Sequence, residues 1–197
     1  MCVLQPNEIY HIYNYAKGDE NLFSVDENYR SFLNRYAHFI HPIAHTYAYC
    51  LMPNHFHVLI KIKSEEELNI TFPNIGNLEK LLSKQFSNLF SSYSQSYNRG
   101  HNRRGSLFIK NFKRKQIANE KYFTSLVHYI HCNPVHHGFC NSLQDWYWSS
   151  YHTYLNTKQT LLEKEKTLEW FGGKEEFVLV HNKSGENYYQ MTTKDLY

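Results

Sequence analysis

Two runs of β-forming residues, HTYAYCLM (45–52) and HFHVLIKI (55–62), are separated by only Pro53 and Asn54. Two residues leave no length for a crossover, so the runs pair as an antiparallel hairpin, although Pro-Asn is not a preferred primed-turn pair. The strand period of two places Phe56, Val58, Ile60 and Ile62 on one unbroken apolar face and sends His55 and His57 together to the other. Strand rise sets the two imidazoles about 6–7 Å apart at Cα, which lets both reach one metal ion. The same spacing serves a pair of packing or surface histidines. What suits the pair to a site is its place at the mouth of a rigid hairpin.

The rest of the chain builds a sheet with helical cover around that hairpin. IYHIYNY (9–15) alternates as a first strand. Asp26 can cap a helix to about Ile40 with Tyr29, Phe32, Leu33 and Tyr36 as its buried stripe. Residues 64–76 read as a polar loop, and Leu78 to about Tyr97 as a second amphipathic helix. A third helix runs from Asn119, its cap, to about His131, with Phe123, Leu126, Val127 and Ile130 inward and Pro134 as its bound. Tyr129 lies off that stripe, and Asn133 shares its face only if the helix persists that far. The aromatic stretch DWYWSSYHTYL (145–155) packs back on the body, and a helix near 161–171 precedes the Gly172-Gly173 break. This order predicts an α+β, ferredoxin-like fold, a mostly antiparallel sheet covered by helices, with a C-terminal helical tail. The expected division is a domain over 1–155 and a tail extension over 156–197.

Charge is concentrated rather than spread. The 197 residues carry a formal +3, yet seven cations and no acid fall within residues 99–115, leaving a net −4 elsewhere. The cations Arg99, Arg103, Arg104, Lys110, Lys113, Arg114 and Lys115 stand beside Phe108 and Phe112. Such a segment offers phosphate contacts and stacking platforms for unpaired bases, or is simply a solvated basic loop. An overall +3 is too mild to argue nucleic-acid binding by itself. No apolar run reaches the length of a membrane span, and the N-terminus lacks a basic-then-apolar leader. The scattered Cys2, Cys50, Cys132 and Cys140 suggest reduced thiols, with Cys50 in a core strand, so a cytoplasmic, nucleoid-associated protein is expected.

In order and spacing, LMPNHFHVLIKI, QFSNLFSSYSQSYNR, GSLFIKNFKRKQI, YIHCNPVHHGF and DWYWSSYHTYL resemble the REP-associated tyrosine transposases, within the single-tyrosine HUH transposase superfamily. The likeness runs from about Tyr10 to Leu155, and the tail motif WFGGKEEF is similar as well. The resemblance implies that His55 and His57 are the metal pair, that Tyr129 is the nucleophile, and that Asn133 supplies a third ligand to Mg²⁺ or Mn²⁺. It implies DNA hairpins with flanking single-stranded guide sequence as partners, and action as a monomer or homodimer. The implied reaction is DNA cleavage and rejoining through a 5′-phosphotyrosine. His128 and His131 are conceivable acceptors of the phenolic proton. A non-catalytic nucleic-acid-binding module on the same fold is the competing reading.

Overall fold

The computed structural model describes residues 3–117 and 119–182. Four strands, β1 (Ile9–Tyr15), β2 (Ala44–Met52), β3 (His55–Ile62) and β4 (Lys113–Ile117), form one antiparallel sheet in the order β2-β3-β1-β4. With α1 (Asp26–Phe39) and α3 (Leu78–Gly100) as its connections, this is the βαββαβ winding of the expected ferredoxin-like fold.

Each sheet face has its own core. Tyr10, Ile12, Phe56, Val58, Ile60 and Ile62 pack against Phe32, Phe86, Leu89 and Tyr93 of α1 and α3. The opposite face carries Cys50 and Leu59 beneath α4 (Glu120–His136), which contributes Phe123, Leu126, Val127 and Ile130. The histidine pair of β3 lies on this second face, as the alternation requires.

The Pro53-Asn54 joint holds because it is braced from outside. The carbonyl of Pro53 accepts the backbone N–H groups of Leu22 (2.6 Å) and Phe23 (3.0 Å), and that of Asn54 accepts Ala16 N–H at 2.7 Å. These bonds supply what an unfavoured turn pair lacks. On the outer side of β2, Leu51 N–H donates to Trp148 O and Ser150 N–H to Tyr49 O, so residues 148–150 cover an edge that would otherwise be open.

Three local readings are corrected. Asp26 opens α1 as its first residue and does not cap it; the Asn28 side-chain oxygen accepts the N–H groups of Ser24 and Val25 instead. The stretch 64–76 is not all loop, because Ser64 and Glu67 close a reciprocal capping box and start α2 (Glu65–Thr71). Pro134 does not bound α4. The helix passes through it to His136, losing only the proline's own missing N–H, and its end is closed by His137 N–H donating to Asn133 O at 2.9 Å and Phe139 N–H to Pro134 O at 2.8 Å. The Asn119 side chain caps α4 as expected, accepting Tyr122 N–H at 2.8 Å.

Beyond a 3-10 turn (Leu143–Asp145) and α5 (Tyr151–Leu155), the chain adds α6 (Lys164–Phe171) and α7 (Lys174–Asn182). Gly172 and Gly173, both at positive φ, make the sharp joint between them. Phe177 of α7 is fully buried against Tyr151 and Tyr154, so residues 156–182 share the core of α4. Residues 183–197, the end of the expected tail, and Cys2 lie outside the described residues. Cys50, Cys132 and Cys140 are free thiols. Among the described residues no helix is long and apolar enough to cross a membrane.

Candidate active site

Register places the site. Across β3, His57 is opposite Tyr13 of β1 and Cys50 of β2, and His55 is opposite Tyr15 and Met52. β1 therefore presents His11, Tyr13 and Tyr15 to the same face, beside the histidine pair. The rings of His55 and His57 stand 5.2 Å apart, edge to face. Tyr129 of α4 sets its ring 5.7 Å from His57 and 6.5 Å from His11, both nearly perpendicular. Sheet and helix thus bring Tyr129 onto the histidines. Tyr129 is buried there, 3% exposed.

The polar atoms here are tied back on one side and bare on the other. His55 Nδ1 donates to the Asn54 side-chain oxygen at 2.7 Å, which leaves Nε2 as a lone pair. His57 Nδ1 meets His11 Nε2 at 2.8 Å. Asn133 donates its Nδ2 to the Tyr129 carbonyl at 3.0 Å. His55 Nε2, His57 Nε2 and Asn133 Oδ1 remain buried with no hydrogen-bond partner. Each such atom costs about 1–3 kcal/mol, which a folded protein accepts mainly where a ligand will engage it.

Burial holds the imidazoles neutral. His55, pushed down by burial and then by His137, falls to about 3, and His11, by burial and then Lys115, to about 3. His57 is driven well below its ordinary value by burial first, and then by His11 and the other rings. Neutral rings offer lone pairs at neutral pH. Among the described residues no three His, Cys, Asp or Glu side chains gather as metal ligands, and a metal held by His55 and His57 would need any further protein donor from another residue type. The buried carboxamide of Asn133 is of that type. Two imidazole nitrogens and one amide oxygen suit Mn²⁺, and with added oxygen ligands Mg²⁺.

The basic segment divides. Lys113 and Lys115 of β4 stand opposite Tyr13 and His11, on the histidine face, and the Lys115 ammonium lies 5.4 Å from the Tyr122 ring. Arg114 alternates to the other face, its guanidinium 5.1 Å over the Phe112 ring. Arg99, Arg104 and Lys110 are exposed. Arg103 is an internal brace, bonded to Glu20, to Asn98 Oδ1 (2.9 Å) and to Ser106 O (2.9 Å), and so is not a free phosphate contact. The stacking role read for Phe108 is likewise corrected, while Phe112 is half-buried. Phe108 is 6% exposed and packs on Phe90 at 4.9 Å, while Phe112 stacks on Phe86 at 4.8 Å. Their alternation with lysines concealed that the chain there borders the α3 core.

His128 and His131 face away from the chemistry. His131 donates to His181 Nε2 (2.9 Å) and accepts from the Ser150 hydroxyl (2.7 Å), and His128 lies against Cys132 and His181. Both rings therefore serve as packing groups between α4 and α7. Sequence reading missed His11, Tyr13 and Tyr15. The half-buried tyrosines stack on the histidines, Tyr13 on His57 at 5.4 Å and Tyr15 on His55 at 5.0 Å. Their signal was the parity of IYHIYNY, legible only once the register with β3 is known.

Fold and site together define a ferredoxin-like protein with a histidine pair on a central strand opposite a helix-borne tyrosine. Comparison with known proteins points the same way. A curated relative from Haemophilus influenzae, described as a REP-associated tyrosine transposase, is 25% identical over 107 residues, which are 54% of this chain and 58% of that protein. A solved REP-associated tyrosine transposase bound to a REP hairpin superposes with a TM-score of 0.62 over 83% of this chain and 92% of its own. At 13% identity that likeness is one of fold. No protein-family model matches the chain.

Proposed function

We propose that the chain is a transposase that cleaves and rejoins single-stranded DNA beside a hairpin, using Tyr129 as nucleophile and Mg²⁺ or Mn²⁺ held by His55, His57 and Asn133. The observation that carries this reading is that Tyr129 packs edge-on against His57, whose Nε2 is buried with no hydrogen-bond partner, as are His55 Nε2 and, one helical turn from Tyr129, Asn133 Oδ1. The description of the Haemophilus relative and the hairpin held by the structural neighbour support it.

In the proposed reaction, Tyr129 Oη attacks a phosphodiester. The Oη–P bond forms, the P–O3′ bond breaks, and the phenolic proton ends on the departing 3′ oxygen. A 5′-phosphotyrosine results, and because it is itself a phosphodiester, a later 3′-OH can reverse the step without ATP. A free phenol, with its pKa near 10, is a poor nucleophile while protonated and a competent leaving group on reversal. Bound metal would supply Lewis acidity to the phosphoryl oxygens. The histidines would orient the phosphate against Tyr129, Tyr13 and Tyr15 would flank the neighbouring bases, and Lys113 and Lys115 would contact the strand's phosphates.

The test is a labelled oligonucleotide carrying a hairpin and single-stranded flanks, incubated with protein and Mn²⁺ and run on a denaturing gel. Wild type should form a covalent adduct, and Tyr129→Phe should bind the DNA yet form none. An adduct that persists in the mutant removes Tyr129 from the role. Binding without any adduct in wild type favours the non-catalytic module.

A further inference from the structure

His55 and His57 differ in how their protons are placed. The partner of His55 Nδ1 is the Asn54 side-chain oxygen, which can only accept, so His55 must carry its proton on Nδ1 and present a bare Nε2. The partner of His57 Nδ1 is another imidazole nitrogen, His11 Nε2, at 2.8 Å, and either can donate. Two arrangements result. In one, His57 Nδ1–H donates to His11 Nε2, His11 carries its own proton on Nδ1, and His57 Nε2 is a bare lone pair. In the other, His11 Nε2–H donates to His57 Nδ1, and the proton of His57 sits on Nε2, where it blocks coordination.

Hydrogen bonding elsewhere does not choose between them. The outward atoms, His11 Nδ1 and His57 Nε2, are both buried without a partner, so the two arrangements leave the same number of unsatisfied groups. His11 is fully buried and its ring lies 5.0 Å from that of His57 at 20°, so neither side chain can swing away. A cation at His57 Nε2 breaks the tie, because only the first arrangement can bind it.

We propose that His11 is a positioning residue for the metal site, accepting the Nδ1–H of His57 through its Nε2 and so fixing the tautomer in which His57 can coordinate. The inference rests on the reading of His55, His57 and Asn133 as metal donors. It assigns to β1, a strand that offers no ligand, control over the ligand strand beside it. Outer partners of this kind orient the ring and raise its basicity, and their loss costs about 10–100-fold in metal affinity.

The experiment uses the full chain, Mn²⁺ alone as the probe, and two substitutions. His11→Leu removes the acceptor; His11→Gln restores one, since the glutamine Oε1 falls near the position of the imidazole Nε2. Mn²⁺ titration followed by electron paramagnetic resonance should show His11→Leu about tenfold weaker or worse, with His11→Gln recovering most of the loss. Long-range ¹H–¹⁵N spectra of wild type loaded with Mg²⁺ should show His57 protonated at Nδ1 and bare at Nε2. This second measurement does not depend on a variant that folds.

Equal Mn²⁺ affinity in a folded His11→Leu overturns the role of His11 and leaves the metal reading standing, whereas a His57 protonated at Nε2 under saturating Mg²⁺ cannot be a ligand through that atom and overturns both. Wild type that takes up no Mn²⁺ overturns both.

Discussion

The carboxamide nitrogen of Asn133 donates to the carbonyl oxygen of Tyr129 at 3.0 Å, one helical turn apart on α4. The donation turns Oδ1 away from the helix backbone, where it stays buried and unpaired. The proposed nucleophile and the proposed third donor are thus tied to each other by the helix.

That arrangement is costly in the free protein. Asn133→Leu, which removes a buried unsatisfied acceptor, should leave the melting temperature unchanged or raise it while weakening Mn²⁺ binding about tenfold or more. Thermal melts and metal titration on the same preparation decide it. A variant that melts much lower and binds metal normally would make Asn133 a structural residue.

The division of the basic segment gives distinct salt signatures. Replacing Lys113 and Lys115 together by Ala should lower single-stranded DNA affinity and flatten its log–log salt dependence by about 1.4, two contacts at roughly 0.7 each. Arg103→Ala should instead lower stability through the loop it braces and change the salt slope little. Fluorescence anisotropy titrations across a salt series, paired with melts, separate the two behaviours. Equal slopes for all variants would mean that β4 does not contact the strand.

Phe108 makes an opposite prediction from the one its sequence context suggests. Phe108→Ala should destabilise the fold by about 3–5 kcal/mol, the cost of emptying a buried aromatic site. DNA affinity of the fraction still folded should be unchanged. Denaturant melts read the first outcome and anisotropy in native buffer the second.

Acid should loosen the junction of α4 and α7. His181 Nδ1–H donates to Phe177 O at 2.7 Å and its Nε2 accepts from His131, a relay that needs both rings neutral. Burial, then His128, lowers His181 to about 3, against about 6.5 in the unfolded chain. The unfolded state therefore binds the extra proton. The stability from this group is whole above pH 6.5 and drains away as pH falls toward 3, at up to about 1.4 kcal/mol per pH unit. His181→Gln should make stability between pH 6 and 4 less steep by about that amount in urea melts at each pH. An unaltered slope would show that His181 titrates freely in the folded protein.

Legibility in the sequence followed the range of each signal. The hairpin, its two faces and the stripes of α1, α3 and α4 follow from periods of 2 and 3.6, which are local. So is the Ser64–Glu67 capping box, whose signal stands in the residues and was passed over for the polarity around it. His11 and Tyr15 are different: their part in the site depends on β1 pairing with β3 in one register, and nothing within IYHIYNY says which face will meet α4. Phe108 and Arg103 depend on contacts with Phe90 and Glu20, remote in sequence or in segment. Composition there correctly shows positive charge. It does not show which cations are already spoken for.

The packing of α7 on α4 has a consequence for how the protein comes into being. A ribosome delivers the sheet and α4 first, and Phe177 and His181 last among the described helices. Until they emerge, the helix that bears Tyr129 has its back to solvent, with His131 short of a partner and Tyr151 and Tyr154 uncovered. A nascent chain thus holds the histidine pair of β3 in place well before it has a settled helix to set against it.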